Sequence, residues 1–132
     1  MHYDGYGEGY YYWHRTRLFV VCYGIGYSGY IKQYEMRLKK GVSVHGLGPE
    51  IIIALMVAND VYKKYGYELV ITSGTDGVHG YSSEHYKGDA VDLRTNNIND
   101  KAVIVAEIAE RLGSDYDVVL ESTHCHLEYD PK

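Results

Sequence analysis

The sequence predicts an α+β domain in which two helices pack against a small, mainly antiparallel sheet. Two segments have apolar residues at helical spacing, and short β-type segments lie between and after them. Two further β-type segments near the C-terminus are separated by only a short polar turn, which predicts a hairpin. A chain of 132 residues fits one domain and can bury a core of its own.

The composition excludes several broad classes of protein. The chain has 13 Lys and Arg against 18 Asp and Glu, and its formal net charge is −5. This balance argues against nucleic-acid binding as the main task, because phosphate-binding surfaces are basic. No apolar run approaches the ~20 residues that cross a bilayer, so no transmembrane segment is predicted. Cys22 and Cys125 lie far apart and indicate neither a disulfide framework nor a cysteine-based zinc site.

Residues 1–35 differ in composition from the rest of the chain, since they are rich in Tyr and Gly. We interpret them as an N-terminal extension or partner-binding arm, with a loosely ordered tail as the alternative. The core domain is then expected over residues 36–132. The apolar stretch 18–23 is either one buried strand or the centre of a weak secretory signal. The signal is the poorer interpretation, because the stretch is short, starts late and has no clear cleavage site after it.

The first helix of the core is predicted from Pro49 onward. Pro49 and Glu50 are typical of a first helical turn, and Gly66 is a natural stop. Ile52 and Met56 are expected to widen its buried face. The residues that form this face at helical spacing are Ile51, Leu55, Ala58, Tyr62 and Tyr65.

Two short strands are predicted after this helix, over residues 68–72 and 90–94. In the second strand, Val91 and Leu93 should face the core, because alternate residues point to opposite sides of a sheet. The intervening residues 74–89 are rich in Gly and in polar side chains. They are expected to form a loop held by the sheet, and functional groups concentrate on such loops.

The chain is then expected to continue through a second helix and a hairpin. The helix begins after a cap at Asn99 or Asp100. Residues 116–121 and 124–129 form the strands of the hairpin, with a turn or bulge at 122–123. Three apolar residues form the buried stripe of the helix: Val105, Ile108 and Leu112.

Four polar residues stand at positions that core packing does not explain. Asp92 lies in the middle of an apolar strand, where Asp is disfavoured and a buried carboxylate needs a partner. His124 and His126 are two apart on the last strand and therefore share a face. His85 lies in the loop, near a glycine that permits a tight approach of loop to strand. Two imidazoles and one carboxylate around a cation leave a fourth position for water, which is the pattern of a catalytic zinc site.

Each of these residues taken alone has a simpler interpretation. His85 could bind only solvent, and Asp92 could pair with Arg94 on the same face. His124 and His126 could be surface residues of an edge strand. Their combination favours one metal site on the face of the sheet. Other residues are expected to take no part in it: Glu128 and Asp130 as solvated carboxylates, Cys125 as a buried apolar side chain, and His2, His14 and His45.

Two motifs carry a resemblance to a known family. The stretch Ser83-Glu-His85-Tyr-Lys-Gly88-Asp-Ala90-Val-Asp92 resembles the SxHxxGxAxD signature of the M15-type zinc peptidases, the D-Ala-D-Ala carboxypeptidase and phage endolysin family. His124-Cys-His126 resembles the HxH element of the wider group, which includes murein endopeptidases and hedgehog domains. Residues 85–92 are also similar to the hedgehog stretch HYxGxAVD, and residues 121–126 to its ESxxHxH, with one residue fewer here. The resemblance covers residues 43–130.

This resemblance implies an α+β peptidase fold with one Zn²⁺ ion held by His85, Asp92 and His126. His124 in place of His126 remains open as the third ligand. Zinc is favoured by the ligand types, although similar sets also hold other divalent metals. Such an ion lowers the pKa of its bound water to ~7 and polarises a scissile carbonyl.

The resemblance also implies the catalytic groups. Glu121 is the expected general base, which takes a proton from the metal-bound water and gives it to the leaving amine. His124 and His79 are expected to line the site and support catalysis. A continuous strand would point Glu121 away from the last ligand, so the mechanism requires the turn or bulge at 122–123.

The implied function is hydrolysis of peptidoglycan stem peptides at bonds that involve D-amino acids, with Ser83 and Tyr86 expected to contact the peptide. Many family members hold a substrate carboxylate with an Arg in an SGxR stretch, where this chain has Ser73-Gly-Thr-Asp76. An endopeptidase is therefore favoured over a D-Ala-D-Ala carboxypeptidase or dipeptidase. A non-catalytic binding module stabilised by zinc is the candidate from another class. Synthesis in the cytoplasm with phage-type release to the cell wall is expected, and the oligomeric state is left open.

Overall fold

A computed structural model of the chain describes residues 10–14, 17–21, 35–76 and 84–132. Side chains are described from residue 36 onward, except those of Glu84 and Tyr86. This part of the chain confirms the predicted α+β class, because two long helices pack on a mostly antiparallel sheet.

Seven strands in the described residues form one sheet. Their bounds are β1 Tyr10–His14, β2 Arg17–Val21, β3 Glu35–Leu38, β4 Val70–Ser73, β5 Ala90–Arg94, β6 Tyr116–Leu120 and β7 His124–Tyr129. Their spatial order is β1-β2-β3-β4-β5-β7-β6, and β3 and β4 are the one parallel pair among them. β1 and β2 extend the sheet from within residues 1–35, and β3 crosses the expected boundary at 35/36. The division into extension and core domain stays a prediction.

The described residues between these strands include three helices: α1 Pro49–Lys64, α2 Glu84–Lys87 and α3 Lys101–Leu112. The predicted ends of α1 and α3 are confirmed, with Gly66 and Gly113 after their last turns. The helix α2 is a single turn inside residues 74–89 and was not predicted, because four residues are too few to show an apolar period. None of the described helices has both the length and the apolar character needed to cross a bilayer.

The core lies between α1, α3 and the inner face of the sheet. Ile52 and Met56 were expected in it, but they are 44% and 51% exposed. Ala54 and Val61 are buried instead, because a helix presents only one stripe to its neighbours and these two residues complete that stripe from its other side. The main buried side chains of the helices and of the central strands are Ile51, Leu55, Ala58, Tyr62, Ile104, Val105, Ile108, Val91, Leu93, Cys125 and Leu127.

The core-facing residues of β5 and β7 show which residues of these strands lie on the opposite face of the sheet. Val91 and Leu93 face the core, as predicted, and so do Cys125 and Leu127. Successive residues of a strand alternate between faces. The remaining residues of these strands therefore lie on the side of the sheet away from α1 and α3, which we call the outer face.

Candidate metal centre

The outer face brings together residues from both sequence motifs. In the register between β5 and β7, Asp92 pairs with His126 and Arg94 with His124. Residues that pair directly across two antiparallel strands point to the same side of the sheet. His85 reaches this face from α2, which contacts β5. The two motifs, far apart in the sequence, therefore meet at Asp92.

One carboxylate oxygen, Oδ1 of Asp92, lies at the centre of the cluster. It is 2.9 Å from Nδ1 of His126, 3.4 Å from Nε2 of His85 and 3.5 Å from Nε2 of His124. His85, Asp92 and His126 each offer one ligand atom, and these atoms lie within 4.8 Å of one another. Two imidazole nitrogens and a carboxylate oxygen are donors that suit Zn²⁺ and related divalent metals. These three residues could hold a metal ion.

The far side of the His85 ring determines which nitrogen faces the cluster. Nδ1 of His85 lies 2.9 Å from the carbonyl oxygen of Gly74. A carbonyl oxygen only accepts hydrogen bonds, so Nδ1 carries the proton and donates it. In the neutral ring, the lone pair is then on Nε2, which points toward Asp92. The backbone thus presents His85 as an Nε2 ligand.

Asp76 supports this arrangement in a way that sequence reasoning missed. Its Oδ1 accepts hydrogen bonds from the backbone N–H of Ser43 at 2.8 Å and of Gly74 at 3.0 Å. The carboxylate therefore fixes the peptide segment whose carbonyl holds His85. The sequence showed Asp76 only as a departure from an SGxR pattern, and its contact with the distant Ser43 became visible only in the fold.

The charges of the cluster are coupled through Asp92. Burial raises the pKa of Asp92, but hydrogen bonds from His126 and His85 outweigh it and hold that pKa well below its usual range. The hydrogen bond that His126 donates to Asp92 raises the pKa of His126 to about 9. Burial lowers the pKa of His85, and its bonds to Asp92 and Gly74 outweigh this effect and raise it. A carboxylate so placed favours positive charge nearby, either as protons on the rings or as a metal ion among them.

The geometry favours His126 over His124 as the third ligand. Nε2 of His124 lies farther from Asp92, and the His124 side chain is 32% exposed compared with 23% for His126. The other ring nitrogen of His124 lies 3.0 Å from Oγ1 of Thr123. His124 therefore lies beside the cluster of His85, Asp92 and His126, on its more solvent-exposed side.

The hairpin of β6 and β7 brings Glu121 to the outer face. The backbone N–H of Glu121 donates to the carbonyl of His124 at 2.8 Å, which closes a turn at Ser122 and Thr123. The register of β6 with β7 ends one residue before Glu121, so alternation along β6 places Glu121 on the side of the sheet that carries His124 and His126. The turn expected at these residues is thus present. Glu121 itself is exposed.

Glu128 is not the solvated carboxylate that was expected. Its Oε2 lies 3.0 Å from Nε2 of His126, and its side chain is 25% exposed. The signal was the alternation of β7, because positions 124, 126 and 128 share one face of a strand. The same alternation that grouped His124 with His126 also applied to Glu128, which the sequence prediction left out of the site.

Arg94 is a further residue of the outer face. Pairing of Arg94 with Asp92 was the alternative interpretation of the sequence, but the side chains around Oδ1 of Asp92 in the structure are imidazoles. Within the described part of the chain, no hydrogen bond or ion pair involves the Arg94 guanidinium, and the residue is half-buried. A cation thus lies directly opposite His124 across the paired strands.

Several predicted positions lie outside what the structure describes. His79 and Ser83 are outside the described residues, and Tyr86 is described only as backbone within α2. Their catalytic and substrate-binding roles stay predictions. The side chain of His14, and the residues His2 and Cys22, also lie outside what is described, so the expectation that they take no part in a metal site stays a prediction.

No protein-family model, curated protein or solved structure matches this chain. The resemblance to M15-type zinc peptidases therefore rests on the two motifs and on their order in the sequence.

Proposed function

We propose that the protein is a zinc-dependent peptidase whose metal ligands are His85, Asp92 and His126. The observation that carries the proposal is the approach of their three ligand atoms to within 4.8 Å of one another on the outer face of the sheet. Three protein ligands of this kind are typical of catalytic zinc sites, whereas structural sites use four. Bound Zn²⁺ would supply Lewis acidity and a water molecule with a pKa of ~7.

Two residues of the chain would handle protons and charge in this reaction. Glu121 lies on the same face as the ligands and is exposed, so its carboxylate can accept a proton from the attacking water and pass it to the leaving amine. His124 lies between Glu121 and Arg94 in the paired register and borders the cluster. Its ring can donate a hydrogen bond to the oxygen that becomes negative in the transition state.

The substrate class follows from the motif resemblance, which favours peptidoglycan stem peptides and D-amino-acid bonds. An endopeptidase is supported by Asp76, because its carboxylate is engaged with backbone N–H groups at the position where an SGxR stretch would offer a cation. The outer face around the cluster is the side of the sheet that α1 and α3 do not cover, which suits an extended peptide.

A D-Ala-D-Ala carboxypeptidase or dipeptidase is the second candidate, and Arg94 favours it. Its guanidinium has no partner within the described residues and lies on the face of the site, so it could hold the free carboxylate of a peptide end. The products distinguish the two candidates. An endopeptidase cuts stem peptides internally, whereas a carboxypeptidase releases the terminal D-amino acid.

The test combines metal analysis with a cleavage assay on purified stem peptides, read by mass spectrometry. We expect the wild-type chain to bind about one equivalent of Zn²⁺ and to cleave, and His85→Ala to lose both properties. Glu121→Gln should keep the metal and lose turnover. A zinc-loaded wild type without cleavage of any stem peptide would contradict the peptidase and leave a zinc-stabilised binding module. Failure of the wild type to retain half an equivalent of metal would contradict both.

A further inference from the structure

We propose that Glu128 is a positioning residue of the metal centre: its carboxylate holds the proton of His126 on Nε2 and so presents Nδ1 of that ring to the metal. The inference rests on the metal site proposed above, and it assigns a role to a residue that lies outside both sequence motifs.

Both nitrogens of the His126 ring have a defined neighbour. Nδ1 lies 2.9 Å from Oδ1 of Asp92, and Nε2 lies 3.0 Å from Oε2 of Glu128. Both side chains are about three-quarters buried, with exposed fractions of 23% for His126 and 25% for Glu128. The contact is therefore shielded from much of the competing solvent.

The strands determine this geometry. His126 and Glu128 are two residues apart on β7 and so share its outer face. Across the strand pair, Glu128 faces Ala90, whereas His126 faces Asp92. Ala90 has only a methyl group, which leaves room on that side for the Glu128 side chain to turn toward the His126 ring. On its other side, Glu128 pairs with Asp117 of β6.

The chemistry of the imidazole supplies the next step. A neutral ring has one N–H and one lone pair, and a metal binds only through the lone pair. Without a metal, each ring nitrogen of His126 can donate to a carboxylate, which favours the doubly protonated ring. A metal bound at Nδ1 would take the place of the proton there, and the contact with Glu128 would retain the proton on Nε2. A carboxylate behind a ligating histidine also fixes the ring and raises its basicity.

The two histidine ligands are thus held from behind in the same way but by different groups. The carbonyl of Gly74 holds His85, and a side-chain substitution cannot remove it. The carboxylate of Glu128 holds His126, and a substitution can remove it. Substitution of Glu128 therefore tests whether a group behind the ring determines the position of the proton on His126, while all three ligands stay in place.

The experiment measures Zn²⁺ affinity by competition with a chelator for the wild type, Glu128→Ala and Glu128→Gln. We expect Glu128→Ala to bind Zn²⁺ about 10–100-fold more weakly. Glu128→Gln should lose less, because its amide oxygen still accepts from Nε2. Asp130→Ala is the matched control, since this carboxylate lies two residues further on and pairs with Lys132 rather than with a histidine of the cluster. Equal affinities of Glu128→Ala and the wild type would overturn the proposal.

A second measurement does not depend on the variants folding. In the zinc-loaded wild type, long-range ¹H–¹⁵N NMR should show His126 protonated on Nε2. A proton on Nδ1 would overturn the proposal even if the metal is bound. A wild type that binds no Zn²⁺ would instead remove the proposed function on which this inference rests, so the two failures are distinguishable.

Discussion

Asp92 shows how far single residues can be interpreted from the sequence. A carboxylate within an apolar strand signalled a buried partner, and the fold supplies three imidazoles around one of its oxygens. The alternation of β7 predicted that His124 and His126 share a face, but it could not rank them as ligands. That ranking depends on the register between β5 and β7, which is a long-range property of the fold.

Gly88 must be a glycine for two reasons, its backbone conformation and the lack of space for a side chain, and Gly66 shares only the first. Its φ is +81°, and an added Cβ would lie 2.2 Å from the carbonyl oxygen of Gly46. Gly66 has nearly the same φ, +82°, but nothing lies within 4 Å of an added Cβ. We expect Gly66→Ala to cost about 1–3 kcal/mol from backbone strain, and Gly88→Ala to cost clearly more because it adds a clash with backbone. Urea unfolding measures both free energies, and equal losses would contradict the argument.

The pKa shifts predict how the stability of the metal-free protein depends on pH. The pKa of His126 is raised from 6.5 to about 9, so its contribution is complete below pH 6.5 and is lost as the pH rises through about 9. The pKa of Asp92 is lowered from 3.8, so its contribution is present above pH 3.8 and is lost only in strong acid. Thermal unfolding with chelator should therefore give a lower midpoint at pH 10 than at pH 6.

The control for this pH prediction is His126→Gln, which cannot titrate at the same position. Its unfolding midpoint should fall less between pH 6 and pH 10 than that of the wild type. The same fall in both proteins would show that other groups cause the dependence.

At the scale of elements, local signals explain which predictions succeeded. The helices α1 and α3 have a long apolar period and glycine stops, β5 and β7 alternate, and a short polar turn precedes β7, so each was predicted close to its observed bounds. The predicted width of the buried face of α1 was wrong, because Ile52 and Met56 are as apolar as their buried neighbours and yet lie at the surface. Only the packing of α1 against α3 and the sheet decides which flank of a helix is covered.

The turn between β6 and β7 places the expected general base but not the metal ligands. We therefore expect a change in this turn to affect turnover more than metal binding. His126 is held by its pairing with β5, whereas Glu121 is placed by the two-residue turn at Ser122 and Thr123. Insertion of one Gly between these turn residues should displace Glu121 and leave the ligands in register. We expect Zn²⁺ affinity to change less than threefold and kcat to fall by about 10²-fold, in line with the loss of a general base.

A matched control for this variant is one Gly inserted at the turn between α3 and β6, after Ser114, far from the cluster along the strands. It should leave both Zn²⁺ affinity and kcat close to the wild type. Unchanged kcat in the insertion at 122–123 would contradict the role of Glu121 as general base.

At the scale of the whole molecule, the order of elements was predictable and the composition of the sheet was only partly so. Helix, strand, loop, strand, helix and hairpin follow from periodicity and turn residues. The short strand β3 was missed: its four residues alternate between polar and apolar, but so short a run does not stand out from its surroundings. The pairing of β3 with β4, and of β2 with β3, depends on contacts between distant segments that no local pattern encodes.

The central claim is that His85, Asp92 and His126 close around one metal ion. The most direct measurement is a crystal structure of the zinc-saturated protein, with diffraction recorded on both sides of the zinc absorption edge. We predict one anomalous peak bonded to Nε2 of His85, Oδ1 of Asp92 and Nδ1 of His126. No such peak among these three side chains, or zinc bound only elsewhere on the chain, would contradict the account.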